Sequence, residues 1–293
     1  TQPYSKLVLA VGAHPVRVAI AGDGSDDIHV VNNLEDYKAF RKNLDQHHDK
    51  RVVILGAGLI GCEFANDLQN TEHQVTVIDL APQPLGRLLP VHVAASFQKK
   101  LEATGIHFVL GTTVEKVLKV EKGDYQITLA NGQSVIADIV LSAIGLHPNL
   151  DLAKTADIHC SRGILTNSHL ETSQADIYAI GDCAEVNGLL LPYVMPIMQQ
   201  ARALAKTLNG EKTHVHYPAM PVAVKTPAAP LTVLPVPVNV DVNWETEQLE
   251  DGMIAKAIDS ENTLRGFVLL GPSAAKQRLS LTKLVPDLIP AAI

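Results

Sequence analysis

Residues Arg51 to Asp79 read RVVILGAGLIGCEFANDLQNTEHQVTVID, and this stretch decides the fold. Val52 to Leu55 is a continuous apolar run, the pattern of a strand buried on both faces. Gly56, Gly58 and Gly61 follow at G-x-G-x-x-G spacing. Cys62 to Asn70 then predicts a helix, and Gln74 to Ile78 a second strand. That strand ends in an acid, Asp79, about twenty residues on, where an adenosine ribose sits in such units. Gly56 permits the tight turn, Gly58 admits a pyrophosphate close to backbone, and Gly61 lets helix and strand pack closely. The diphosphate would lie on the helix N-terminus, where free N–H groups and the dipole favour negative charge. Asp79 can accept two ribose hydroxyl hydrogen bonds. No Arg or Lys occurs in the next several residues, so NAD is favoured over NADP.

A chain of 293 residues is long for one core and predicts two or three domains. Its apolar fraction of 46% and charged fraction of 19% describe an ordinary globular protein. The formal net charge of −7 argues against nucleic acid or an anionic membrane as partner. It leaves room for a local basic patch that docks an acidic protein. The best candidate for a membrane span, Leu189 to Met198, is too short and contains Pro192 and Pro196. Cys62, Cys160 and Cys183 have no C-x-x-C spacing, so neither a disulfide framework nor a zinc site is indicated. A reducing, cytoplasmic setting is the expectation. The opening TQPYSKLVLAVG carries a lysine inside its apolar run, unlike a secretory signal, and reads as the middle of a domain.

In chain order, Lys6 to Val11 is a buried-strand pattern closed by Gly12, and Leu34 to Leu44 has helical periodicity. His47 and His48 have no third metal ligand nearby and read as a solvated loop. Val91 to Thr104 predicts an amphipathic helix ended by Gly105, and Ile106 to Leu110 another strand. The period then changes. Val114 to Val120, Tyr125 to Leu129 and Ser134 to Leu141 predict an antiparallel meander, joined by Lys122-Gly123-Asp124 and Asn131-Gly132 turns. Thr172 to Glu185 gives a further strand ending in Gly181-Asp182, at the carboxyl end where α/β sheets bind ligands. A Gly-Asp pair is also an ordinary turn. Pro196 opens an expected helix, Ile197 to Leu208. From His214 onward, six prolines between Pro218 and Pro237 allow a polyproline linker or edge strands of a small domain. The strand character of Val222 to Val224 and Leu231 to Leu234 favours the domain. Trp244, Gly266 to Leu270 and a helical piece, Ala274 to Leu284, complete it, with His214 and His216 as surface groups.

The segments LVLAVGAHP, GAGLIGCEFA, LSAIGLHPN and YAIGDCAEV stand in the order found in the pyridine nucleotide-disulphide oxidoreductase superfamily, which the chain resembles over most of residues 6 to 210. CEFANDLQ, LPYVMPIMQQARALAKTL and MPVAVKTPAAPL are similar to bacterial NADH:rubredoxin reductases and related flavorubredoxin reductases. The resemblance implies two Rossmann-like domains, an FAD domain split by an inserted NAD domain, and a small α+β C-terminal domain. The expected boundaries are residues 1–24 and 147–213 for the FAD domain, 25–146 for the NAD domain and 214–293 for the C-terminal domain. The family's first G-x-G-x-x-G, which binds the FAD diphosphate, would precede residue 1, so the chain is expected to be an N-terminally truncated piece. That missing part would also hold the redox cysteine pair of the disulphide-reducing branch. The C-terminus speaks against that branch, because it lacks a His-x-x-x-x-Glu-type motif and carries VKTP.

The implied function is passage of electrons from NADH through FAD to rubredoxin, which feeds an alkane hydroxylase or an oxygen- or nitric-oxide-linked system. The cofactor carries such chemistry, so no side chain is expected to act as acid or base. By resemblance, Asp182 and Gly181 meet the FAD ribityl chain, and backbone at Val194 approaches the pyrimidine end of the ring. Gly145 joins the cofactor-binding set through LSAIGLHPN. Glu63 would point toward the flavin–nicotinamide contact, or serve merely as a first-turn acid favoured by the helix dipole. Lys225 sits in apolar VAVKTP, where a charge needs a partner; the flavin or Glu63 would supply one, unless the lysine snorkels to the surface. Rival readings are a ferredoxin or flavorubredoxin reductase of the same fold and a non-catalytic dinucleotide-binding regulatory protein.

Overall fold

The computed structural model describes residues 2–45, 49–120 and 123–291. His47, His48 and Lys122 lie outside the described residues. The chain divides into two compact units. One comprises Thr1–His14, Leu146–Met220 and Pro286–Ile293; the other comprises Pro15–Gly145 and Pro221–Val285.

The second unit is built on the organising strand. Arg51–Leu55 pairs in parallel with Gln74–Asp79 on one side and Ile139–Ser142 on the other, and His107–Leu110 extends the sheet beyond Gln74–Asp79. The apolar run is continuous because both faces are covered. Val52 and Ile54 join a core with Phe40, Phe97 and Leu101, from the helices Leu34–Leu44 and Val91–Glu102. Val53 and Leu55 join another with Val117, Ile127, Leu129 and Ala137, from the antiparallel strands Val114–Lys119, Tyr125–Leu129 and Ser134–Ala137. Asn33 caps the helix Leu34–Leu44, its side-chain oxygen accepting the Asp36 N–H at 2.8 Å.

Ser134 to Leu141 is two strands rather than the expected one. The break is at Asp138, whose carboxylate accepts the Arg51 backbone N–H at 2.6 Å and the guanidinium at 2.8 and 3.1 Å. Arg51 also reaches Asp124 at 2.7 Å. One side of the break pairs in the meander and the other in the parallel sheet. Apolar pattern alone cannot reveal this, since the apolar run carries on across the break although Ser134–Ala137 is largely exposed and Ile139–Ser142 largely buried.

The C-terminal segment of this unit is a five-stranded antiparallel sheet in the order Val222–Val224, Leu231–Leu234, Leu264–Leu270, Met253–Ile258, Asn243–Gln248. Leu231–Leu234 is an interior strand, not an edge, because the prolines fall outside it. Leu231, Val233, Met253, Ala255, Val268 and Leu270 share one hydrophobic cluster with Phe97 and Leu101. The hairpin Asn243–Gln248 with Met253–Ile258 was not foreseeable by alternation, since the first strand is polar and largely exposed. The helical piece Ala274 to Leu284 is two short helices, Pro272–Ala275 and Arg278–Thr282.

In the first unit Leu7–Leu9 pairs in parallel with Ile177–Ala179, and Ile164–Thr166 with Ala184–Val186. The helix Val194–Leu208 buries Pro196, Gln200, Ala203, Leu204 and Thr207, one stripe of its surface. It begins at Val194, earlier than expected, with Pro196 in its first turn, where a missing N–H costs nothing. Leu9, Ile164, Leu170, Tyr178, Leu204 and Tyr217 form the core.

Arg51 holds the Asp138 carboxyl down at about 2, below the usual carboxylate range. A depressed folded-state value stabilises the fold above pH ~4 and is lost as the pH falls toward 2. Asp138→Asn should therefore cost about 2 kcal/mol at pH 7. Urea unfolding should show that gap closing between pH 5 and pH 2; a constant gap would refute the assignment.

Candidate functional site

Two of the three glycines in the organising turn are demanded by the protein's own packing. Gly56 has φ +105°, and a Cβ there would lie 2.6 Å from the Ala143 carbonyl oxygen. A Cβ on Gly61 would lie 1.9 Å from the Gly56 carbonyl oxygen. Gly58 differs. Its φ is −77°, and a Cβ would meet nothing within 4 Å, so the space beside it is open.

The helix spans Leu59–Gln69, starting three residues earlier than the sequence suggested. Gly61 lies in its first turn, and the poor helix propensity of glycine masked that start. Gly58 is the N-cap, no side chain caps it, and no acid occupies the first turn. The first-turn N–H groups therefore have no intrahelical acceptor and face the open space at Gly58. That combination fits a diphosphate.

Asp79 ends its strand with its carboxylate already engaged. It accepts the Ala57 N–H at 2.5 Å and the Ala81 N–H at 2.7 Å, tying the glycine turn to the strand end. The side chain is half-buried, and a carboxylate has about four acceptor positions, so capacity for ribose hydroxyls remains. Gly145 is exposed with φ +114°, open space at its Cβ position, and its carbonyl accepting the Val16 N–H at 2.9 Å.

Glu63 and Lys225 are brought together, but not as an ammonium–carboxylate pair. The Lys225 backbone N–H donates to Glu63 Oε1 at 2.8 Å, and the Lys225 side chain is exposed. The sequence-based premise of a lysine in apolar surroundings is thus corrected: its neighbours Val224 and Thr226 are buried while Lys225 points out. Glu63 is the fifth residue of the helix, so it is not a first-turn acid. One turn further along, Asn66 Oδ1 accepts the Ala228 N–H at 3.1 Å. Together these residues dock the loop from Lys225 to Ala228 on the nucleotide helix. Asn66 was missed because a polar residue within a helix signals nothing without knowledge of what packs on it. Burial pushes the Cys62 thiol up to about 12, which leaves it protonated and unreactive at neutral pH.

In the other unit, Ile177–Ala179 runs into a short 3₁₀ turn, Gly181–Cys183. Gly181 has φ +79° and open space at its Cβ position. Its N–H donates to Gln200 Oε1 at 2.6 Å, and Gln200 Nε2 donates to the Tyr217 hydroxyl at 2.6 Å. Gln200 and Tyr217 are buried. Neither was anticipated, although a glutamine on the apolar stripe of a helix is the kind of signal that would have found it.

Asp182 Oδ1 is buried without a hydrogen-bond partner, and burial pushes the carboxyl above its usual range. A desolvated acceptor of this kind requires a donor from outside the protein. The hydroxyls of a ribityl chain are suitable donors, so this residue fits FAD. Val194, the first residue of its helix, is 73% exposed. Among the described residues no group of three or more His, Cys, Asp or Glu could hold a metal, and no helix is long and apolar enough to cross a membrane.

The family model described as pyridine nucleotide-disulphide oxidoreductase matches residues 1–207, and that described as rubredoxin binding C-terminal domain matches residues 214–285. Rubredoxin-NAD(+) reductase of Acinetobacter baylyi is 80% identical over 293 residues, covering 100% of this chain and 75% of that protein. Rubredoxin-NAD(+) reductase of Alcanivorax borkumensis is 42% identical, over 98% of this chain and 74% of its own length. A ferredoxin reductase from Rhodopseudomonas palustris has the same fold, with a TM-score of 0.85 at 26% identity, over 97% of this chain and 72% of that one. With its motifs, fold and open glycine turn in agreement, the chain belongs to the pyridine nucleotide-disulphide oxidoreductase family.

Proposed function

We propose that this chain is an FAD-dependent reductase that passes electrons from NADH to rubredoxin. The observation that carries this reading is one chain holding both an uncapped dinucleotide turn and a C-terminal segment that matches the rubredoxin-binding domain. Both relatives named above carry rubredoxin-NAD(+) reductase as their name. Two one-electron carriers are reduced per NADH oxidised. FAD, when bound, supplies the junction between a hydride donor and one-electron acceptors.

The protein's part is to bind and orient. Gly56, Gly58 and Gly61 would hold the NADH diphosphate against the first-turn N–H groups, and Asp79 the adenosine ribose. Gly145 joins them on the same unit. Gly181 and Asp182 would receive the ribityl chain of FAD, and the first-turn backbone at Val194 the electron-rich end of its ring. Glu63 and Lys225 complete the set, the carboxylate fixing the backbone from which the ammonium projects. The proposed domain limits remain 1–24 and 147–213 for FAD, 25–146 for NAD and 214–293 for the C-terminal domain. A cytoplasmic setting suits three free cysteines.

Gly58→Ala should leave the fold intact and raise the Kd for NADH at least tenfold, because the added methyl enters the diphosphate space. Gly61→Ala should instead lower thermal stability by several kcal/mol, through its clash with Gly56. Calorimetry paired with NADH titration separates the two, and equal stability losses would discard the distinction. Asp79→Ala should weaken NADH binding by roughly 1–3 kcal/mol with flavin content unchanged. An unaltered affinity for NADH would remove Asp79 from the site. The function itself is tested by an anaerobic absorption titration. The flavin band should bleach on adding NADH and recover as oxidised rubredoxin is reduced. A bleached band that persists with rubredoxin would reject this acceptor.

A further inference from the structure

The helix Val194–Leu208 carries a buried amide on its apolar stripe, and that amide reaches across to a different element. Gln200 is 2% exposed, and a buried amide costs free energy unless its groups are bonded. A leucine would fill the same place without that cost. The Gln200 side-chain oxygen accepts the Gly181 N–H at 2.6 Å, and its NH2 group donates to the Tyr217 hydroxyl at 2.6 Å. An N–H can meet only the amide oxygen, so the bond to Tyr217 holds the amide in the one orientation that serves Gly181. Tyr217 is fully buried and is fixed in turn. Its N–H donates to the Ile289 carbonyl at 2.9 Å, and its carbonyl accepts the Leu288 N–H at 2.8 Å and the Ile289 N–H at 3.1 Å. A run of hydrogen bonds thus leads from the C-terminal residues through Tyr217 and Gln200 to the turn Gly181–Cys183.

Resting on the reductase reading, we propose that Gln200 is a positioning residue for FAD. It sets the spacing between the ribityl contact at Asp182 and the ring contact at the first turn of the helix, and Tyr217 locks it in place. The two contacts lie on separate elements. Asp182 belongs to the turn that follows Ile177–Ala179, whereas Val194 begins the helix. From Val194 to Gln200 that helix rises about 9 Å. The amide is therefore a strut between turn and helix, bonded to the residue directly before the unpartnered Asp182 Oδ1. Gly181 has φ +79° and no side chain with which to hold the turn, so the restraint comes from the helix. A turn already in place need not be ordered when the ligand arrives, which raises affinity. The helix N-terminus favours negative charge on a ring placed against it, so the same spacing raises the midpoint potential of the flavin.

The test uses the full-length protein carrying Gln200→Met, an unbranched side chain without the amide, or Tyr217→Phe, which removes only the hydroxyl and keeps the ring in the core. Each is stripped of flavin and titrated with FAD. Gln200→Met should raise the Kd for FAD roughly tenfold, the weight of one buried hydrogen bond. Tyr217→Phe should raise it by less, since the bond to Gly181 survives but is no longer oriented. In both, the midpoint potential of the bound flavin should move to more negative values, while the Kd for NADH stays at the wild-type value. Should Gln200→Met fail to fold, the same readings on Tyr217→Phe decide. Lower thermal stability with wild-type FAD affinity and potential would make the pair merely structural and overturn the positioning role alone, provided the wild type binds FAD and reduces rubredoxin. A wild-type protein that binds no FAD would overturn the reductase reading and the positioning role with it.

Discussion

The close approach of the nucleotide helix to the strand before it is the constraint on which the binding half depends. A Cβ on Gly61 would lie 1.9 Å from the Gly56 carbonyl, so only glycine allows the helix to start where it does. That start places Gly58 at the N-cap with open space beside it and sets first-turn N–H groups free. A glycine weakens the first turn of a helix. The burial of Cys62, Ala65 and Leu68 against the sheet compensates. Local propensity is sacrificed where the helix must come close to the backbone of the preceding turn.

Carboxylates serve as staples in this unit more than as surface charges. Asp79 ties the glycine turn to the end of the second strand through the Ala57 and Ala81 N–H groups. Asp138 marks the point where the chain leaves the meander for the parallel sheet, held by Arg51 through backbone and guanidinium together. Glu63 and, one turn on, the amide of Asn66 fasten the loop from Lys225 to Ala228. In each case a side-chain oxygen satisfies an N–H that has no ladder partner, the condition for irregular backbone near a core.

The other unit uses the opposite device. Gln200 and Tyr217, both buried, hold the Gly181 backbone. The neighbouring Asp182 keeps one oxygen desolvated and without a partner. The protein thus satisfies the Gly181 backbone itself and leaves one strong acceptor beside it without a partner. A polar network is rigid only when its members are satisfied, which is why Gln200 bonds on both ends.

By itself, the sequence determined the parallel sheet, the meander, the nucleotide turn and the identity of Gly56, Gly58, Gly61, Asp79, Gly181 and Asp182 as candidates. Those features rest on short-range pattern: an unbroken apolar run, glycines at fixed spacing, an acid at a strand end. Tertiary structure alone decided the break at Asp138, the interior position of Leu231–Leu234, the exposure of Lys225, and the roles of Asn66, Gln200 and Tyr217. Each of these depends on what a residue far along the chain packs against, with Asp138 set by Arg51, Asn66 by Ala228 and Gln200 by Tyr217. A hydrogen bond between residues distant in sequence has no periodicity, so pattern could not reveal it.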